Sequence, residues 1–300
     1  MGAGVTWSEA EVAAALPAAP PVAPRKQPEA VDPLLRLPLL RLDQIHLSFN
    51  GVPVLDDVGF AVARGEICAL IGPNGAGKSS LLNVICGVYR PQRGSVTFAG
   101  ETRAHMHPER AARRGMARTF QNVALFRGMT ARENIMTGGH LHRRAGLWRQ
   151  IARTPLARRE EVAARAQAQR ILDFLRIGAH RDKVVASLPY GLQKRVELGR
   201  ALAARPSLLL LDEPMAGMTY DEKQELAGVI LDANAELGVT VVLIEHDMGI
   251  VMDLSDHVVV LDHGRRIADG TPAEVRESGA VIEAYLGLVD ELGLGDEGER

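Results

Sequence analysis

Residues Gly72 to Ser79 read GPNGAGKS, a spacing of glycines, one lysine and one hydroxyl that suits polyphosphate binding. Glycines let consecutive backbone N–H groups wrap round anionic oxygens in conformations a side chain would forbid. The residues that follow, LLNVICGV, read as a helix, whose positive N-terminal end would point at the same oxygens. Lys78 supplies a charge to the β- and γ-phosphates, and the Ser79 hydroxyl suits Mg2+. The second half is acidic. SLLLLDEP, Ser207 to Pro214, reads as a buried strand ending in Asp212, whose carboxylate can hold Mg2+ through water, and in Glu213, a candidate general base or water-positioning group. VVLIEHD ends a third apolar run at His246, which can contact a γ-phosphate from the carboxyl edge of a sheet. Gln121 ends ARTFQ, read as another short strand, and can reach metal or attacking water. A lone Asp-Glu pair could equally cap a strand, and a lone His or Gln is unremarkable. Three successive strand ends delivering Lys/Ser, Asp/Glu and His tip the balance to chemistry.

The surrounding segments must position these groups. LLRLDQIHLSF, VPVLDDVGFAV, GEICALIG and GSVTFAG read as short strands separated by turn residues. Residues of about 122–205 read as helical and rich in Arg and Ala. Beyond them strand and helix alternate, with apolar strands continuous enough to be covered on both faces. YDEKQELAGVILDANAEL reads as a helix and LDHGRRIADG as a hairpin turning at His263-Gly264. The expected fold is α/β with a parallel-sheet core and an inserted helical subdomain.

Composition narrows the classes. The chain has 300 residues and a formal net charge of -2, so it offers no basic excess of the kind that marks nucleic-acid binding. Cys68 and Cys86 fall in apolar stretches and read as buried thiols in a reducing compartment rather than a disulfide. No run is long enough for a membrane-spanning helix, and the N-terminus lacks a basic segment followed by an apolar one, so a cytoplasmic location is expected. Residues 1–37, rich in Ala and Pro, read as a disordered extension; 38–290 read as one domain and 291–300 as a flexible tail.

From about Leu39 to Leu286 the order of these motifs resembles the ATP-binding cassette (ABC) ATPases. The resemblance implies a P-loop cassette with an antiparallel β subdomain beside the parallel core and a helical insertion. It implies ATP and Mg2+ as ligands. Phe49, in LSFNG, matches the aromatic that stacks on adenine, with Val54 close by in the nucleotide-binding set. Gly72, Asn74, Gly75, Ala76, Gly77, Lys78, Ser79 and Ser80 match the phosphate loop. Gln121 matches the Q-loop, Asp212 and Glu213 the acidic pair, Ala216 to Thr219 the D-loop, and His246 the switch histidine. Ser79, Gln121 and Asp212 are the implied metal set, and Glu213, His246 and Gln121 the catalytic one.

RTFQNVALFRGMTARENIMTGGH, YGLQKRVELGRAL, EHDMGIVMDLSD and VIEAYLG narrow the likeness to cassettes of branched-chain amino-acid importers. The resemblance then implies a second cassette, identical or paralogous, separate transmembrane permease subunits, a solute-binding protein, and attachment at the cytoplasmic face of the membrane. The signature loop departs from LSGGQ: Pro189, Tyr190 and Leu192 replace its serine, first glycine and glutamine. Tyr-Gly is usual in this subfamily; Leu192 is not. Tyr190, Gly191 and Leu192 keep their N–H groups, and Pro189 suits a helix start, so a working site is expected. Losing one charged hydrogen bond costs about 1.5–3 kcal/mol. A cassette for an amide, urea or lipid-export system, or a non-catalytic ATP-binding regulatory subunit, is the alternative. A repair or translation cassette would show a coiled-coil insertion or tandem cassettes, and neither is visible. HLHRRAGLWRQIARTPLARREE reads as an amphipathic basic helix, for packing or for contact with anionic lipid or permease. Phe126 and Met129 are candidates for the permease-facing surface.

Overall fold

The computed structural model describes residues 38–121, 123–142 and 155–284. The expected N-terminal extension, the tail at 291–300 and residues 143–154 of the basic stretch lie outside them. Strands β1 (Pro38–Phe49) and β2 (Val52–Ala63) pair antiparallel about a tight turn at Asn50-Gly51, both at positive φ. β3 (Ile67–Ile71) belongs to a different sheet, while β4 (Arg93–Phe98) and β5 (Glu101–Arg103) complete a four-stranded antiparallel sheet in the order β2-β1-β4-β5.

The second sheet runs β10-β9-β3-β8-β7-β6, built from β6 (Met116–Arg118), β7 (Leu208–Asp212), β8 (Thr240–Ile244), β9 (His257–Asp262) and β10 (Arg265–Gly270). Its pairings are parallel except that of β9 with β10. Burial on both faces explains the unbroken apolar runs. Ile67, Ala69, Ile71, Leu209 and Leu211 enter one core cluster, whereas Cys68, Leu70, Leu208 and Leu210 enter the other.

Helices fill the connections: α1 (Lys78–Ile85), α2 (Pro108–Arg113), α3 (Ala131–Gly138), α4 (Pro155–Phe174), α5 (Tyr190–Ala203), α6 (Tyr220–Leu237), α7 (Met248–Leu254) and α8 (Pro272–Arg276). The first cluster seats α3 to α7 on the sheet, and the second lies between α1, the sheet and the antiparallel strands. α6 opens with a Thr219/Glu222 capping box and closes at Gly238 in the left-handed region, which is why its sequence limits were legible. The β9–β10 hairpin turns at His263 (φ 43) and Gly264 (φ 76), as its sequence predicts.

Three details differ from expectation. The ARTFQ strand stops at Arg118, so Gln121 sits in the loop beyond it. The first helix begins at Lys78, inside the phosphate-loop motif rather than after it. Pro189 is the N-cap of α5, extended at φ -52 and ψ 152, rather than its first helical residue. Both cysteines are free. Among the described residues no helix is long and apolar enough to cross a membrane.

Candidate functional site

The phosphate loop leaves β3, fully buried, and runs straight into α1. Gly72 is at φ +143, and a Cβ there would come within 1.9 Å of the Leu261 carbonyl, so only glycine fits. Gly77, at φ 97, caps α1 without a side-chain hydrogen bond. A Cβ on it would meet the carbonyl of Val54 at 2.8 Å. Val54 thus braces the loop from behind by its backbone. By contrast, nothing lies within 4 Å of a Cβ on Gly75. Asn74, Gly75 and Ser79 are exposed, Ser80 half-exposed and Ala76 buried. The first N–H groups of α1 have no intrahelical acceptor and no cap, an arrangement suited to an anion.

Lys78 is 7% exposed and folds back over its own loop, Nζ donating to the carbonyls of Gly72 at 2.6 Å and Pro73 at 2.8 Å. Burial pulls its ammonium below the usual lysine range, against the opposing charges of Glu213 and Asp212.

Glu213 follows β7 with φ 48, a left-handed conformation rare for a residue with a side chain. In a continuing strand it would face away from Asp212; the kink releases it from that alternation. Its Oε1 lies 2.9 Å from His246 Nε2 and its Oε2 accepts from Gln121 Nε2 at 3.0 Å. Three of the expected site residues, from three strand-end loops, therefore meet at one carboxylate. Burial pushes that carboxyl up, but the hydrogen bonds from His246 and Gln121 outweigh it and leave Glu213 below the ordinary glutamate range. Such a group is a weak proton acceptor and a good orienter of water.

Asp212, 3% exposed, accepts from Arg118 Nη2 at its Oδ2, 2.8 Å away. Its other oxygen, Oδ1, is buried and has no hydrogen-bond partner. Ser79 makes no hydrogen bond to another described residue through its hydroxyl. An orphaned carboxylate oxygen and a free hydroxyl are the donor set a hydrated magnesium ion needs, so the residues fit that ion.

Phe49 is 43% exposed and meets Tyr89 in an edge-to-face contact, ring centroids 5.1 Å apart. At α5, Tyr190 is exposed, with the Lys194 ammonium 5.8 Å from its ring centroid. Leu192 is half-buried and packs on the core. Gly191 is buried against the Glu222 carboxylate, which a Cβ would approach to 2.5 Å. The close approach its glycine allows in this chain is therefore to α6. Phe126 (53%) and Met129 (36%) are exposed, as a partner surface requires.

Sequence reasoning passed over four charged groups that hold the site's surroundings, three of them buried and one nearly so. Lys194 donates to the Gln121 carbonyl at 2.9 Å, and Glu197 accepts from the N–H groups of Ala124 at 3.3 Å and Phe120 at 3.5 Å. α5 thus grips the backbone on either side of Gln121. Glu245, 5% exposed, accepts from the N–H groups of Met215 at 2.8 Å and of His246 at 3.3 Å. Arg118 is the fourth. The signal for each was a charge inside an apolar run or stripe, which a motif search does not weigh.

The family described as ABC transporter matches residues 55–216, and one described as branched-chain amino acid ATP-binding cassette transporter matches 265–290. The chain is 38% identical to the high-affinity branched-chain amino acid transport ATP-binding protein BraF of Pseudomonas aeruginosa, over 83% of this chain and 98% of that one. The corresponding protein LivG of Salmonella typhimurium is 37% identical over the same shares. Among solved structures, the ADP conformation of MJ1267, an ATP-binding cassette of an ABC transporter, superposes with a TM-score of 0.73 at 31% identity, over 84% of this chain and 99% of that chain. A nucleotide-free ATP-binding cassette from an ABC transporter gives 0.72 at 31%, over 83% and 99%.

Proposed function

Because this chain belongs to the ABC transporter family of ATP-hydrolysing subunits, we propose that it powers a branched-chain or other hydrophobic amino-acid importer. The observation that carries the site assignment is the convergence of Gln121 and His246 on the two oxygens of Glu213, beside a phosphate loop. The names of the two curated relatives and the C-terminal family match support the solute class.

In this reading Phe49 stacks on adenine and the N–H groups of Gly75 to Ser80 hold the phosphates. Lys78 exchanges the carbonyls of Gly72 and Pro73 for phosphate oxygens. Ser79, Asp212 and Gln121 would hold Mg2+, which supplies charge neutralisation at the phosphates. Glu213 orients the attacking water and His246 holds Glu213 and senses the γ-phosphate. A second cassette, identical or paralogous, completes each site with its Tyr190-Gly191-Leu192 segment, presented by the N-terminus of α5. The permease subunits are separate chains, met in part through Phe126 and Met129, and hold this subunit at the cytoplasmic face of the membrane. A solute-binding protein delivers the amino acid. One domain over 38–290, with 122–205 as a helical subdomain, fits this reading.

The divergent signature is compatible with turnover. Pro189 ends at the N-cap and leaves the first N–H groups of α5 free, and Leu192 packs inward without blocking them. Phosphate release from ATP, by wild type and Glu213→Gln with co-purified membrane subunits, tests the reading. Turnover in the wild type, abolished by the substitution with ATP binding kept, is expected. No turnover in either would make the chain a regulatory ATP-binding subunit.

A further inference from the structure

Arg118 is a charged residue at the end of a short strand in the parallel sheet, and its side chain is only 10% exposed. Its Nη2 donates to Asp212 Oδ2 at 2.8 Å and its Nη1 to Asn83 Oδ1 at 2.6 Å. The ring of Phe120 lies 5.4 Å from its guanidinium carbon. One side chain therefore ties together β7, the helix that follows the phosphate loop, and the strand that leads into Gln121. Among the described residues it is the only cation paired with Asp212.

A carboxylate at a strand end can rotate and offer either oxygen. A guanidinium is a planar fork, and once its own plane is fixed by Asn83 it fixes the oxygen it holds. Here the held atom is Oδ2, and the buried, unpartnered atom is Oδ1. Partners that orient a metal-holding group from behind are worth about 10–100-fold in metal affinity.

We propose that Arg118 is the positioning residue for the magnesium–nucleotide complex: it fixes Asp212 through Oδ2, reserves Oδ1 for the metal, and couples that choice to the phosphate-loop helix through Asn83. The inference rests on the magnesium-nucleotide reading of the site. It makes Arg118 part of nucleotide recognition although it touches no phosphate.

The test is ADP binding to the full chain by calorimetry, once with excess Mg2+ and once with a chelator, the readout being the ratio of the two affinities. Arg118→Met is expected to cut that ratio about tenfold while the chelator value stays within about twofold, and Arg118→Lys to restore part of it. A ratio that is unchanged or larger overturns the proposal, as does an equal loss in both conditions. If Arg118→Met does not fold, Asn83→Ala keeps the charge and leaves Nη1 only its weaker contact with the Cys86 sulfur at 3.4 Å; the ratio must then fall by less than tenfold, and no fall overturns the role. A wild type without any magnesium increment would overturn the site reading together with this inference. An increment that Arg118→Met leaves undiminished overturns the inference alone.

Discussion

His246 Nε2 sits 2.9 Å from Glu213 Oε1, so the loops leaving two neighbouring parallel strands are joined at the carboxylate proposed to orient water. Removing the imidazole leaves Glu213 its bond from Gln121 alone. His246→Ala is expected to lower kcat for phosphate release by about 100-fold with a much smaller change in KM for ATP, since in the proposed reading the terminal phosphate is its one contact with the nucleotide. The sign of the pH effect follows too. Glu213 is held below its ordinary range, so its acidic limb lies below that of an ordinary glutamate in the wild type and moves up in the variant, which lacks the hydrogen bond from His246. Steady-state rates at several pH values check both.

Phe49 is exposed, with Tyr89 packed against it in an edge-to-face contact. Phe49→Ala is expected to weaken ADP binding by about tenfold, in keeping with about 1–3 kcal/mol per stacked base. The magnesium increment should not change, because the ring acts at the other end of the nucleotide. Titration with and without the metal separates the two ends.

The signature loop can be pushed back toward the commoner sequence. Pro189→Ser adds one charge-assisted hydrogen bond, about 1.5–3 kcal/mol at most, so turnover should rise by no more than about 100-fold. Leu192→Gln puts an amide where an apolar side chain packs. It is expected to cost about 1–2 kcal/mol, read as a lower thermal midpoint, without raising the rate. Phosphate release and thermal unfolding on both variants decide this.

His257 lies at the start of β9, its Nε2 2.5 Å from Asp269 Oδ1 and its Nδ1 3.4 Å from Glu66 Oε1. Burial pulls the imidazole down, but the hydrogen bond to Asp269 and the nearby Cys68 and Glu66 side chains win and push it up to about 12. A group raised on folding stabilises the protein fully below its unfolded value of about 6.5, and the benefit fades as pH climbs toward 12. Between pH 7 and 10 the thermal midpoint of the wild type should therefore fall more steeply than that of His257→Gln. Parallel slopes would show the cluster to be neutral.

Much of this was legible because the responsible residues act locally. The phosphate-loop residues are contiguous from Gly72 to Ser79, and the Thr219/Glu222 box sets the start of α6 within one turn. The strand ends at Asp212 and near His246 followed from apolar runs that stop at a charge. What escaped depended on tertiary contact. Nothing in ARTFQ says that its arginine faces Asp212, or that the strand stops three residues before Gln121, because β6 is cut short by pairing with only three residues of β7. Lys194 and Glu197 looked like ordinary helix residues until α5 was found against the Gln121 backbone.

The positive φ of Glu213 sets stability against activity at a single position. A side chain in that conformation is about 1–2 kcal/mol worse off than glycine would be. Glu213→Gly would relax the backbone and at the same time remove the carboxylate that Gln121 and His246 hold. Stabilised forms of this ATPase are better sought at other positions of positive φ, such as Ala99 and Arg176, with position 213 left as it is.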